Sequence, residues 1–146
     1  MEAEVMQQYI EFATNHPYLS LAWAGILVAI IVTWVQSLLS KISFVSPSEL
    51  TLKVNRQDAT VLDIRGIDDF KKGHITGAKN IPLADLKNKL SSLEKAKDAP
   101  IIVICQMGMS AQGAAKQLVA AGFTDVAVLR GGMTKWQEAN LPVVKK

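Results

Sequence analysis

Residues 101–115 read IIVICQMGMSAQGAA. β-Branched apolar residues run up to Cys105, the chain's one cysteine, and stop there. Pro100 precedes the run and Gly108 follows it, so it has the length and composition of a buried strand. From Ser110 to Ala121 the residues are mostly small or apolar, and Gly122 takes the position just past a helix end. A strand, a tight loop and a helix therefore follow in direct succession. In open α/β sheets the chemistry lies beyond the carboxyl ends of the strands. Loop 106–109 lies over the start of the next helix, where unpaired amides and the positive end of the dipole favour an anion. A thiolate is stabilised in such a place. Gly108 lets the backbone turn tightly enough to aim amides inward. Two readings of Cys105 stand on this pattern: an activated nucleophile, or a packing residue that ends a strand.

The flanking sequence repeats the alternation. Ile42 to Val45 reads as a strand, and Ser46-Pro47 opens a helix with Glu49 at its third position. Ala59 to Ile64 is a buried strand, Asp68 to Lys72 a short helix, and Ala78 to Ile81 an extended piece stopped by Pro82. Leu83, Leu86, Leu90 and Leu93 mark a helical stripe over 83–93. Val126 to Leu129 is another strand, and Met133 to Ala139 a final helix closed by Pro142. Strands apolar on both faces and separated by helices specify an α/β domain with a largely parallel sheet covered on both sides. Residues 42–146 suffice for one such domain.

The N-terminal part differs in kind. Of the 146 residues 49% are hydrophobic, and the excess is local: from Phe12 to Ser40 there is no Asp, Glu, Lys or Arg. Residues 19–39, LSLAWAGILVAIIVTWVQSLL, make a helix about 30 Å long, the thickness of a bilayer's hydrocarbon core. A cleaved signal peptide carries a basic first region, whereas residues 1–18 hold Glu2, Glu4 and Glu11 and no base. The expectation is a short N-terminal tail over 1–18 and one uncleaved transmembrane helix over 19–39. All 16 Lys and Arg follow the span, beginning with Lys41, which orients the domain to the cytoplasm and the N-terminus across the membrane. Trp23 and Trp34 stand as interface anchors. A lone thiol suits the same reducing compartment. From Lys41 onward the 16 bases face 10 acids without a basic run interleaved with aromatics, so nucleic acid is not a partner on this reading.

Three segments resemble the rhodanese-homology domain family. They are VLDIRGIDDFKKGHITGAKNIP (61–82), the loop CQMGMSAQGAA (105–115), and LRGGMTKWQEANLP (129–142). The resemblance implies a five-stranded parallel sheet flanked by helices, and a sulfurtransferase. In such an enzyme Cys105 attacks the outer sulfur of a donor, thiosulfate or a protein persulfide. It holds that sulfur as a persulfide and passes it to an acceptor thiol or cyanide. It also implies that the loop amides of Gln106, Met107, Gly108, Met109, Ser110 and Ala111 cradle the sulfur, and that Asp63 and Arg65 brace the loop. No metal or organic cofactor is implied. An anchor joined to one such domain resembles bacterial inner-membrane members of the family. One departure stands out: many active members carry Arg or Lys in this loop, and residues 105–112 hold neither. Related phosphatases place an Arg six residues after the cysteine to clamp phosphate; Ala111 stands there, which argues against that chemistry.

Other residues bear two readings each. His74 is a base or a fold-fixing hydrogen-bond partner. Asp68 and Asp69 are a carboxylate pair or the charged cap of a helix. Arg130 either reaches the loop with positive charge or lies at the surface, and Trp136 is core. Gly25, Ala29, Thr33 and Ser37 recur every four residues, as a face for another membrane helix or as ordinary membrane composition. Two functions follow: a membrane-anchored sulfurtransferase, or a rhodanese-fold interaction module in which the Gly25/Ala29 face binds a membrane-protein partner.

Overall fold

A computed structural model describes residues 1–39 and 42–146, with the side chains of residues 36–39 left aside. Ser40, Lys41 and the side chain of Ser37, named above, lie outside the described residues. The chain divides into two units, Met1–Ser40 and Lys41–Lys146.

The first unit is helical throughout its described part. Residues 1–18, the short tail before the expected span, hold helix α1, Glu2–Asn15, and the start of α2, Pro17–Leu39. One residue, His16, separates them. The break has a local cause: proline disfavours helical backbone in the residue before it and lacks the N–H to continue the ladder. Over Pro17–Val35, α2 is long and apolar enough to cross a membrane, and none of that stretch is buried.

The second unit is built on five strands: β1 Ile42–Val45, β2 Thr60–Asp63, β3 Lys79–Asn80, β4 Ile101–Ile104 and β5 Val126–Leu129. All pairs are parallel, in the order β1-β5-β4-β2-β3, so β4 is central. The two-residue period of a strand sorts β4 between two cores. Ile101, Val103 and Cys105 join one with Val126 and Val128, covered by Ala111, Ala114, Ala115 and Leu118 of α6 (Ser110–Ala120). Ile102 and Ile104 join the other with Ala127 and Leu129. That face is covered by Leu50 of α3 (Pro47–Gln57) and by Met133 and Trp136 of α7 (Gly132–Glu138). The parallel α/β sheet of the sequence reading is thus the fold.

Two local expectations change. The stripe over 83–93 is not one helix: it is a 3₁₀ turn at Leu83–Asp85, a short α5 at Leu86–Lys89, and a second 3₁₀ segment at Leu90–Ala96. In 3₁₀ geometry residues three apart eclipse. That aligns Leu90, Leu93 and Ala96 toward the core, where α-helical geometry would have rotated Ala96 away. Asp68 and Asp69 charge the first turn of α4 (Ile67–Lys72) but do not cap it; the N-cap is Gly66, and Asp69 pairs with Lys72 at 3.3 Å.

The start of α3 matches its sequence signature. The Glu49 N–H donates to Ser46 Oγ at 3.3 Å, and the Ser46 N–H donates to Glu49 Oε2 at 2.6 Å, a complete capping box. These bonds hold the Glu49 carboxyl below its ordinary value of 4.5: first the Ser46 backbone, then its hydroxyl, with smaller help from the charges of Arg130 and Lys53 against a desolvation cost. A carboxyl depressed in the folded state contributes stability that is complete above pH 4.5 and lost as pH falls through the folded value. Unfolding of wild type and Glu49→Gln should therefore differ at neutral pH and converge in acid. Ser46→Ala should cost about 1 kcal/mol at neutral pH.

Candidate functional site

Cys105 follows the last residue of the central strand and is 5% exposed. The strand places its side chain inward, and the chain then turns over the sulfur. Gly108 sits at φ +89 and donates its N–H to Cys105 Sγ at 2.9 Å. A Cβ at Gly108 would lie 3.0 Å from the Gly131 nitrogen, so the turn is closed from outside as well. Of the six loop residues named from sequence, Gly108 contributes the amide that reaches the sulfur. Met107 and Met109 are 67% and 76% exposed and flank that amide on the surface. Ser110 begins α6, whose N-cap residue, Met109, supplies no capping side-chain bond. The Gln112 N–H donates to the Met109 carbonyl at 3.3 Å, which leaves the amides of Ser110 and Ala111 at the helix start for an anion brought to the loop. Ala111 is fully buried, so its side chain packs the core.

The opposite side of the loop is held by α7. The Met133 N–H donates to the Cys105 carbonyl at 2.9 Å, and the Thr134 N–H to the Gln106 carbonyl at 3.1 Å. The Thr134 hydroxyl donates to the same Gln106 carbonyl at 3.0 Å. This requires near contact of two backbones. A Cβ on Gly132, at φ +58, would lie 2.3 Å from the Cys105 carbonyl oxygen and 2.7 Å from that of Gln106. Gly132, Met133 and Thr134 were not among the sequence-derived site residues. The signal was present in the Gly131-Gly132 pair, but nothing in the sequence says which backbone it approaches.

Asp63 and Arg65 lie at the end of β2, which pairs with β4. Their side chains are 1% and 7% exposed. Arg65 Nε donates to both oxygens of Asp63 at 3.0 and 3.1 Å, and Nη2 to Asp63 Oδ2 at 2.7 Å. Nη2 also donates to the Gly73 carbonyl at 2.8 Å, and Nη1 reaches Gln106 Oε1 at 3.4 Å. The other end of the Gln106 amide donates to Thr134 Oγ1 at 3.4 Å. Gln106 thus bridges the β2 end to α7. Asn80, another residue not singled out from sequence, donates to the carbonyls of Asp63 and Arg65 at 3.1 and 2.9 Å and fixes the turn between them.

The remaining candidates separate from this site. His74 is buried, with Nδ1 2.8 Å from the Phe70 carbonyl and its ring stacked on Phe70 at 3.7 Å, which is the fold-fixing role. Trp136 is core and donates its indole N–H to the Pro142 carbonyl at 3.0 Å. Arg130 is exposed; its charge acts on Glu49, and no side-chain bond ties it to the loop among the described residues. Among those residues no group of three His, Cys, Asp or Glu side chains could hold a metal ion.

The arrangement has the parts of a nucleophilic thiol site. A single sulfur stands at the end of a central strand with an amide on it, a helix start beneath it, and a backbone fixed from two sides. Comparison with known proteins gives the family. Residues 46–139 match the model of the rhodanese-like domain. The chain is 44% identical over 141 residues to YibN of Escherichia coli (strain K12), covering 96% of this chain and 99% of YibN. It is 40% identical over 86 residues to the thiosulfate sulfurtransferase GlpE of Pseudoalteromonas translucida, covering 59% of this chain and 80% of GlpE. A rhodanese-related protein from Thermoplasma volcanium superposes with a TM-score of 0.65 at 29% identity, over 71% of this chain and 99% of that one.

Replacing Gly132 by Ala tests the close approach, with Gly77→Ala as control. Gly77 has a similar positive φ, +79, but open space where its Cβ would go. Left-handed backbone alone should cost each variant about 1–2 kcal/mol. Gly132→Ala should cost more, and only it should change the rate at which Cys105 is alkylated. Equal effects in unfolding and alkylation would remove the constraint.

Proposed function

This chain belongs to the rhodanese-like domain family, and from that membership we propose that it is a membrane-anchored sulfurtransferase carrying sulfane sulfur on Cys105. The observation that carries the reading is the Gly108 N–H on Cys105 Sγ at 2.9 Å, at the carboxyl end of the central strand. The Cys105 thiolate attacks the outer sulfur of the donor. With thiosulfate, the sulfur–sulfur bond breaks and sulfite leaves with the electron pair. Cys105 then bears a persulfide. An acceptor thiolate or cyanide attacks the outer sulfur, takes it as a new persulfide or as thiocyanate, and returns Cys105 as thiolate. The charge that develops is stabilised by Gly108 and the first amides of α6, oriented before the reaction starts.

Support for the donor class comes from both sides. The relative named for thiosulfate, GlpE, shares this domain. Against that, Arg65 already serves Asp63, Gly73 and Gln106, so its charge is largely neutralised before a small dianion arrives. A protein persulfide, which brings its sulfur on a neutral or singly charged group, suits this mouth better than free thiosulfate. The anchor would be α2, with the N-terminus periplasmic and the domain in the cytoplasm of a bacterial inner membrane, in keeping with bacterial relatives and with bases confined to the region after the span.

Mass measurement of the full chain in detergent tests this directly. After incubation with thiosulfate or a persulfide donor, wild type should gain the mass of one sulfur atom and Cys105→Ser should gain none. Turnover to cyanide should fall in the variant to the background rate, while the fold is retained. Sulfur on neither chain would end the proposal.

One observation favours a second role for the anchor. A side chain at Gly25 would meet nothing within 4 Å, and the Thr33 hydroxyl is satisfied by the Ile30 carbonyl at 2.8 Å. The Gly25/Ala29 face is thus free to pack closely on a helix of a membrane-protein partner. On that reading, Gly25→Leu or Ala29→Leu should abolish a crosslinked complex that Cys105→Ser leaves intact. An unchanged crosslinking pattern would dismiss it.

A further inference from the structure

Helix α1 has two unlike faces. At the spacing of an α-helix, Val5, Met6, Tyr9, Ile10 and Phe12 fall on one arc, which carries Glu2 at its N-terminal end, and Glu4, Gln7, Glu11 and Thr14 fall on the other. Every apolar member of the first arc is exposed. A helix of 14 residues is marginal in water without a surface to pack on. That surface is not supplied by the rest of the first unit. Instead, α1 turns at the His16-Pro17 corner and leaves a cleft against α2. Its walls are Val5, Gln8, Tyr9 and Phe12 of α1 and Trp23 of α2, around a volume of about 630 Å³. The cleft opens on the apolar arc of α1 and runs onto the uncovered apolar surface of α2.

The occupant follows from charge and continuity. Residues 1–39 contain no Lys or Arg, and the terminal ammonium of Met1 stands 3.9 Å from Glu4, so no cationic side chain in this unit draws an anionic headgroup or an acidic peptide. Glu4 and Glu11, on the far arc, belong in water. Trp23 stands near the outer end of the apolar stretch, where an indole suits the lipid–water boundary. We propose that α1 lies in the outer water–lipid interface, with phospholipid acyl chains filling the cleft between its apolar arc and Trp23. This rests on the reading of α2 as a membrane span. An amphipathic helix without basic residues binds lipid weakly by itself. Here the one-residue link to α2 makes the contact intramolecular and raises its effective concentration. The pair then acts as an anchor with a collar: α2 crosses, and α1 sets the depth and tilt at which it crosses.

Spin-label accessibility tests this on the full chain in phosphatidylcholine vesicles. In a Cys105→Ser background, single labels are placed by Val5→Cys, Tyr9→Cys and Phe12→Cys, by Gln7→Cys, Glu11→Cys and Thr14→Cys, and by Ile26→Cys and Ile30→Cys. Collision with oxygen, which enters lipid, is compared with collision with a water-soluble nickel chelate present on both sides. The ratio of oxygen to nickel collisions should be severalfold higher at Val5, Tyr9 and Phe12 than at Gln7, Glu11 and Thr14. The labels at Ile26 and Ile30 should be deeper than all of these. Uniform nickel access along α1, with Ile26 and Ile30 still deep, overturns the collar and leaves the span. Shielding of Val5, Tyr9 and Phe12 from both reagents also overturns it, because a protein surface then covers that face. Nickel access at Ile26 and Ile30 removes the span, and the collar with it.

Discussion

The site depends on how closely α7 approaches the chain that leaves β4. Two amides at the start of α7, those of Met133 and Thr134, take the carbonyls of Cys105 and Gln106, and only a glycine at position 132 leaves room for them. With those carbonyls engaged on the α7 side, the loop is free to turn its own N–H groups inward. Gly108 then sets one of them on the sulfur. The loop is therefore a backbone device. Its polarity comes from oriented amides and a helix start, which need no side-chain charge and no reorganisation when an anion forms.

A buried ion pair supports the second side of this loop. Burying Asp63 and Arg65 together stabilises little in itself, because desolvation offsets most of the attraction. Its value is positional. The guanidinium has a rigid fork of donors, and each is aimed: two edges at Asp63, one at the Gly73 carbonyl, one at Gln106. Through Gln106 the fork reaches Thr134, so β2, β4 and α7 are joined at one point. The same commitment leaves the thiol's surroundings short of free positive charge, while Met107 and Met109 make the exposed flank apolar. These features together leave the mouth of the site apolar at its flank, with its polarity supplied by backbone amides.

The N-terminal unit obeys a different logic. In the domain, apolar residues are sorted by a two-residue strand period and covered from both sides. In α1 and over Pro17–Val35 of α2 they remain uncovered, and among the described residues the one sharp feature is the corner at His16-Pro17. Charge is absent from Phe12 to Ser40, and the carboxylates of residues 1–39 are kept to α1.

The sequence by itself determined the alternation of strands and helices, the capping box at Ser46 and Glu49, the apolar stretch, and the placing of Cys105 at a strand end before a helix. All of these arise from patterns within a few residues, where periodicity, proline, glycine and caps act directly. It read residues 83–93 as one helical stripe, because the choice between α and 3₁₀ turns on which leucines the core accepts, and it gave no secondary structure for the tail 1–18, where α1 forms. Asp63 and Arg65 were legible through the resemblance of their motif, but their link to Gln106 was not. Only the tertiary structure decided that Gly132 and Thr134 belong to the site, that Asn80 fixes its edge, and that Arg130 does not join it. The physical reason is distance along the chain: Gln106 and Thr134 lie 28 residues apart, and no local pattern encodes a contact made by the packing of the sheet.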